Sequence, residues 1–388
     1  MTQDCTQDSI FVCRTPYHIF LSSILSCSKD SGDSYLLVEP WFDPDSAQII
    51  INSLRSHNVF NKIIILDSVY SGEKKKNYRD QLSSIEKSIN IISKKLPHLS
   101  HGNFSGELYT TGEAKQTDQY LINNLVEKSN GTNVHLEDGT DDYFIEHDDN
   151  WSLYPWINIK MRPKRTYYNL SHRARLLISH RFLWENITKP EDNPWLDSVA
   201  AVFPDHLRSS LRKYPSQELP GPEEWDDKII QWIRQYVEEV CIKPKQLDID
   251  LLFITPHSSE IASAREESSL MDLIEEVATE NRTTVGLKPH PREPFTYNLP
   301  ESVSVIPKEI PAEVLYTLVT DKIELVIGPD STALYTAKWI SPSSTVVSVS
   351  KIMGEQTNLL ENMGVKYPST TSELMNICSS HKSQTDEY

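Results

Sequence analysis

Residues 34–38 read SYLLV and residues 62–66 read KIIIL. Neither run alternates apolar with polar positions. Both are continuous, as expected of parallel strands covered on both faces. Outward from them, β-branched and apolar runs alternate with helix-period segments. Further strands are expected at 9–13, 107–110 and 133–136, with helices near 17–29, 46–57, 75–96 and 116–128. After Pro244 the pattern starts again, with strands at 248–254, 283–287, 303–306, 323–327 and 345–349 and helices near 268–281, 311–320, 331–339 and 371–380. Two such series imply an α/β chain of two doubly wound, Rossmann-like domains. The stretch 150–247 is rich in Trp, Pro and Arg, with helical pieces near 170–186 and 223–241. The expected organisation is a first domain at 1–195, a connection at 196–247 and a second domain at 248–388.

The length of 388 residues agrees with two domains at roughly 150 residues each. Asp plus Glu (55) outnumber Lys plus Arg (38), for a net charge of −17. That balance excludes a general nucleic-acid binder, whose affinity comes from neutralising phosphates. It also excludes attraction of the whole surface to anionic lipid, but not an anionic small substrate in a local pocket. Glycine, at 12 residues, is at about half the usual 7%, so a glycine-rich loop is not the main binding device. Cys5, Cys13, Cys27, Cys241 and Cys378 are odd in number and widely spaced, which reads as free thiols rather than a disulfide framework or zinc site. No apolar run reaches the length of about 18 residues that a membrane span needs. The N-terminus lacks the basic and apolar regions of a secretory signal. A cytoplasmic protein is expected.

Ligands of open α/β sheets sit beyond the carboxyl ends of the strands, so the residues just after each strand carry the functional question. After 133–136 come Glu137, Asp138 and Gly139. Two carboxylates before a glycine place acids at a strand-to-loop turn, where one can take a proton from a hydroxyl; a solvated turn is the plainer account. Asp141, Asp142, Asp148 and Asp149 lack regular ligand spacing and suggest a polar loop. After 283–287 come Lys288, Pro289, His290, Pro291 and Arg292. The prolines restrict the backbone at His290, and the flanking cations suit a phosphate, to which His290 could give a hydrogen bond or a proton. A structural histidine is the alternative. Gly328, Pro329, Asp330, Ser331 and Thr332 lead from strand to helix, where hydroxyls and free N–H groups form an anion site. Ordinary N-capping by Asp330 or Ser331 competes with that view. Pro311 opens a helix and sets Glu313 near its start, to accept ribose hydroxyls or to complement the helix dipole.

Taken in order, E-D-G at 137–139, His290-Pro291 and the hydroxyl pair Ser331-Thr332 resemble the bacterial sialyltransferases of the GT-B fold. The nearest likeness is to the lipooligosaccharide sialyltransferases of glycosyltransferase family 52 and the capsular polysialyltransferases. Cys13-Arg14-Thr15-Pro16-Tyr17-His18 is similar to the opening of that group. The likeness spans most of the chain through short motifs. It departs in having Ser-Thr where Ser-Ser is frequent, and 150–247 matches no named pattern.

The resemblance implies two domains facing a cleft and an inverting transfer of sialic acid from CMP-sialic acid to a glycan hydroxyl, with no metal and no cofactor. Carried over by position, Asp138 or Glu137 deprotonates the acceptor and His290 assists the departing CMP. Ser331 and Thr332 bind its phosphate, Glu313 holds the ribose, and Lys288 and Pro289 line the nucleotide side; Thr255-Pro256-His257-Ser258 is placed in the nucleotide pocket by its strand-end position alone. Thr15, His18, Arg162 and Arg165 fall on the acceptor side. The acceptor implied is a bacterial surface glycan such as lipooligosaccharide or capsule.

From Trp151 to Trp184 there is no acid, while Lys160, Arg162, Lys164, Arg165, Arg173, Arg175 and Arg181 are basic and interleaved with aromatics. In an acidic chain this island suits an anionic acceptor, or an anionic membrane surface at its inner face; pairing with the acids at 141–149 is the equal alternative. Three other functions share parts of the pattern: a CDP-glycerol-type glycerophosphotransferase, a transferase of another CMP-linked acidic sugar (Kdo or a nonulosonate), and an inactive glycan- or nucleotide-binding module. E-D-G favours the sialyltransferase over the first. Asp138, His290, Ser331 and Thr332 together speak against the binder, which needs no general base.

Overall fold

The computed structural model describes residues 7–385 apart from 30–31, 43, 69, 72–73, 76–77, 98–103, 113–114, 145–188, 241–248, 257–263, 282–283, 292–298, 300–301, 320–321 and 355–357. The chain forms two compact units, Met1–Trp41 with Asn58–Leu219 and Phe42–His57 with Pro220–Tyr388. The boundary at Leu219 thus falls inside the stretch read as a connection, and one early segment, Phe42–His57, belongs to the second unit.

The first unit is built from β1 (Asp8–Cys13), α1 (Pro16–Cys27), β2 (Ser34–Val38), β3 (Lys62–Ile65), β4 (Tyr70–Ser71), β5 (Lys74–Lys75), α3 (Tyr78–Lys95) and β6 (Gly106–Thr110). It continues through α4 (Gln116–Leu121), β7 (Thr132–Leu136), α5 (Asp141–Phe144), β8 (Ser198–Ala201) and β9 (Ser216–Glu218). The remaining early helix, α2 (Pro44–Ser56), lies in the second unit. Among the described residues seven strands form one sheet, in the order β3-β2-β1-β6-β7-β8-β9. Every pair in it is parallel. SYLLV is buried at all five positions, as its unbroken apolar character requires. Ile10, Val12, Leu37, Ile64 and Leu108 pack with Ile92, Leu121 and Leu125 from the covering helices. Each such side chain contributes about 1.5–3 kcal/mol on burial.

The second unit contains α6 (Asp227–Val240), β10 (Leu251–Ile254), α7 (Ala264–Asn281), β11 (Val285–Lys288), β12 (Val303–Val305), α8 (Ala312–Val319), β13 (Leu325–Gly328), α9 (Thr332–Ile340), β14 (Thr345–Ser348) and α10 (Thr371–Thr385). Its sheet runs β12-β11-β10-β13-β14, again all parallel. Helix α2 packs on α6, and α6 on α8. Both sheets reverse strand order beside their first strand, between β1 and β6 and between β10 and β13, which is where doubly wound sheets hold ligands.

Three details depart from the sequence reading. Strands β8 and β9 extend the first sheet beyond the five expected strands. The helix expected near 116–128 widens after Leu121 into a π-helix at Ile122–Glu127. The acids after Gly139 do not form a simple polar loop: Asp141–Phe144 makes a helical turn with Asp142 buried, because that carboxylate has partners inside the fold. The helical piece near 170–186 and the basic island lie outside the described residues. No helix among the described residues is long and apolar enough to cross a membrane.

Candidate active site

At the carboxyl edge of the first sheet, β1 runs into α1 through Arg14 and Thr15. Thr15 is the N-cap, its hydroxyl accepting the His18 N–H at 3.2 Å, and Pro16 takes the first helical position. This entry sets Tyr17 and His18 in the first turn. Two strands away, β7 ends at Leu136 and the chain turns through Glu137, Asp138 and Gly139. Gly139 has φ +79, a left-handed conformation that favours glycine.

The neighbouring acids have opposite surroundings. Glu137 is fully buried. Its carboxylate accepts from the Tyr17 and Tyr143 hydroxyls, and from the Val202 N–H at 2.7 Å. Burial beside Glu137 pushes the Tyr143 phenol well above its usual range, so it remains a donor. The Asp138 side chain is 47% exposed, and its Oδ1 lies 2.8 Å from His18 Nε2. The Asp138 N–H donates to Asp142 Oδ2 at 2.7 Å, and His135 Nε2 lies 2.8 Å from the same oxygen. Burial opposes charge on Asp142, yet His135, the Asp138 N–H and Arg208 hold its carboxyl below the usual range. Arg208 also pairs with Glu191 at 2.7 Å. The turn that presents Asp138 is therefore braced from behind by buried ionic and hydrogen-bonded groups.

Between β1 and β6 the buried Arg14 donates to Glu39 at 3.3 Å, to Thr111 at 3.3 Å and to both carboxylate oxygens of Asp118. Burial disfavours the guanidinium charge, and Asp118 and Glu39 more than compensate. Arg14 thus ties the end of β1 to the ends of β2 and β6.

In the second unit, β11, β10 and β13 are adjacent, and their carboxyl ends lead to His290, Thr255 and Ser331 respectively. The sheet therefore brings three separate sequence motifs to one edge. Lys288 is buried, and its ammonium donates to the carbonyls of Pro289 at 2.5 Å and Lys308 at 3.4 Å. Burial lowers its pKa to about 8 against the opposing pull of Glu313 and Glu309. Lys288 thus fastens the loop carrying the half-buried His290. Thr255 is buried, and its N–H donates to the Lys288 carbonyl at 3.1 Å. Glu313, in the first turn of α8, is buried too, and burial raises its pKa. It accepts from the Thr336 hydroxyl of α9 at 3.4 Å.

Ser331 is the N-cap residue of α9, but its side chain makes no capping bond. Its Oγ is buried and has no hydrogen-bond partner among the described residues. Thr332 begins the helix. Asp330 fixes this loop: its N–H donates to the Ser350 hydroxyl at 3.0 Å, and its carboxylate accepts from the Tyr367 hydroxyl at 2.7 Å. Gly328 permits the close approach of β13 to β10, since a Cβ there would come within 2.9 Å of the Ile254 carbonyl oxygen.

Asp138, Glu137, Thr15 and His18 thus share one edge of the first unit, and Lys288, Pro289, His290, Glu313, Ser331, Thr332 and Thr255 share one region of the second. Arg162, Arg165, Arg292, His257 and Ser258 lie outside the described residues. Sequence reasoning missed Tyr17, Tyr143, His135, Asp142 and Tyr367. The only signal for the first two was a tyrosine on each side of an acid pair, far apart in the chain. Among the described residues no three His, Cys, Asp or Glu side chains gather as metal ligands.

The Photobacterium phosphoreum α/β-galactoside α-2,3-sialyltransferase is similar in structure at 13% identity and TM-score 0.50, over 95% of this chain and 100% of that one. The Methanocaldococcus jannaschii UDP-GlcNAc 2-epimerase, in complex with UDP-GlcNAc and UDP, is similar at 11% identity and TM-score 0.54, over 95% and 91% of the two chains. The Neisseria meningitidis UDP-GlcNAc 2-epimerase bound to UDP-GlcNAc is similar at 13% identity and TM-score 0.51, over 98% and 91%. At these identities the likeness concerns the fold, two Rossmann-like domains of GT-B type. No curated protein matches the sequence. The family model described as alpha-2,8-polysialyltransferase matches residues 9–350, most of the chain. The E-D-G turn, the His-Pro loop and the hydroxyl pair at a helix start all lie within that match, and the chain belongs to the alpha-2,8-polysialyltransferase family, as a sialyltransferase of GT-B fold.

Proposed function

We propose that this chain transfers sialic acid from CMP-sialic acid to a hydroxyl of a sialylated glycan, forming an α-2,8 linkage with inversion, and that Asp138 is the general base. The observation that carries this assignment is the contrast within the acid pair: Glu137 is buried under three donors, whereas Asp138 keeps an exposed carboxylate. Asp138 takes the proton of the acceptor hydroxyl as its oxygen bonds to the anomeric carbon. The bond from that carbon to the phosphate oxygen breaks, and its electron pair leaves with CMP. His290 donates to the departing phosphate, with Ser331 Oγ and the N-terminal N–H groups of α9 as further donors. Glu313 is assigned to the ribose, and buried Lys288 to holding the loop of His290.

A sialylated, polyanionic acceptor is in keeping with the family description, and the basic stretch 151–184 carries charge of the opposite sign. A surface polysaccharide is therefore the acceptor class we assign. Charge on the leaving group is met by His290, hydroxyls and a helix start, so the transfer is assigned without a metal.

The test is turnover of CMP-sialic acid with an α-2,8-linked oligosialoside, and slow CMP release without acceptor. Asp138→Asn should cut transfer to a small residual rate while leaving CMP affinity unchanged, and His290→Ala should impair both transfer and CMP release. Full activity in Asp138→Asn would remove the base assignment. Failure of CMP to bind would remove the donor.

A further inference from the structure

His18 is not exposed enough to meet a large acceptor: it is 2% exposed, packed in the first turn of α1. Its Nε2 lies 2.8 Å from Asp138 Oδ1. A carboxylate only accepts, so Nε2 carries the hydrogen in this pair. His18 Nδ1 is buried with no hydrogen-bond partner among the described residues. The Asp138 carboxylate is thus the one hydrogen-bonding side-chain partner of this imidazole among the described residues. Asp138 Oδ2 has no donor among the described residues. The backbone of Asp138 is separately fixed by Asp142 Oδ2 at 2.7 Å.

We propose that His18 is a positioning residue for the general base: it holds Oδ1 of Asp138 through a single hydrogen bond and turns Oδ2 toward the acceptor hydroxyl. The Thr15 cap, Pro16 and the start of α1 carry this geometry. The assignment gives a specific role to His18, which the resemblance placed on the acceptor side. It rests on Asp138 being the base, as proposed above.

The experiment compares three substitutions on the full chain, with kcat, both KM values and CMP affinity measured for each. His18→Gln keeps a donor within reach of Asp138, His18→Asn keeps the chemistry but falls short by one methylene, and His18→Leu removes the donor. Expected is a fall in kcat of about 10²-fold for Asn and Leu, the size seen when a reacting group is misplaced by about 1 Å. Gln should recover most of it, with acceptor KM and CMP affinity unchanged throughout. In an Asp138→Asn background, His18→Leu should have no further effect. The inference is overturned if Gln is no better than Asn, if the loss appears in acceptor KM instead of kcat, or if the effects of His18 and Asp138 multiply independently. Should His18→Leu fail to fold, the Gln and Asn pair still decides the question. An active Asp138→Asn enzyme, in contrast, defeats the base assignment whatever His18 does.

Discussion

At the scale of single residues, two adjacent acids differ by one position and divide two tasks. Glu137→Gln would set its amide N–H₂ either against both the Tyr143 hydroxyl and the Val202 N–H or against the Tyr17 hydroxyl, and would remove the carboxylate charge that all three buried donors meet. Destabilisation of about 1–3 kcal/mol is expected, read as a lower urea midpoint. Asp138→Asn sits on a half-exposed side chain and should shift stability by less than about 0.5 kcal/mol while transfer is largely lost. Equal stability loss in the two variants would contradict the division. Sequence could place the acids at a strand end but could not separate them, because two of the donors around Glu137, Tyr17 and Val202, are remote in the chain, and only the fold turns the nearby Tyr143 onto it. Asp142 illustrates the same limit: it read as one of four loop acids, and only the fold brings it to His135. Its carboxyl titrates below the unfolded value of 3.8, so between the two values the unfolded state binds more protons. Its contribution is complete above 3.8 and is lost as the pH falls through the folded value. The stability gap between wild type and Asp142→Asn should therefore be open at pH 7 and narrow below 3.8 in urea melts.

At the scale of elements, inner strands were legible because burial on both faces leaves only apolar runs, as in SYLLV, and the edge strand β3 was legible through its three isoleucines. Strands β8 and β9 were not: SVAA is short and weakly apolar, and SQE at the sheet edge is exposed at all three positions, so neither carries a periodic signal. The start of α9 was legible as a helix start, but its role was open between capping and anion binding. The structure gives Ser331 the capping position without the capping bond. A working Ser cap is worth about 0.5–2 kcal/mol. Ser331→Ala should therefore change the melting temperature little, yet weaken CMP binding by about 10–100-fold, the equivalent of one hydrogen bond to a charged group. A drop in stability with unchanged CMP affinity would return Ser331 to a purely structural role.

At the scale of the whole molecule, a net charge of −17 repels polyanions unless charge is distributed unevenly, and the acid-free stretch at 151–184 is where the sequence does this. The acceptor proposed above sharpens the question, since an oligosialoside presents charge at every residue. Replacing Arg162, Lys164 and Arg165 together with Gln should raise KM for a long oligosialoside several-fold. It should leave slow CMP release without acceptor unchanged, because that reaction uses only the donor side. Wild-type KM for the oligosialoside should rise with salt, as screening shortens the Debye length from about 30 Å at 0.01 M to about 8 Å at 0.15 M. The triple variant should show a flatter salt dependence. If KM and its salt slope are the same in both proteins, the basic residues pair within the chain instead, as the acids at 141–149 allow. Short acceptors sharpen the comparison: a single sialoside meets few of these cations and should lose little, so the penalty should grow with acceptor length.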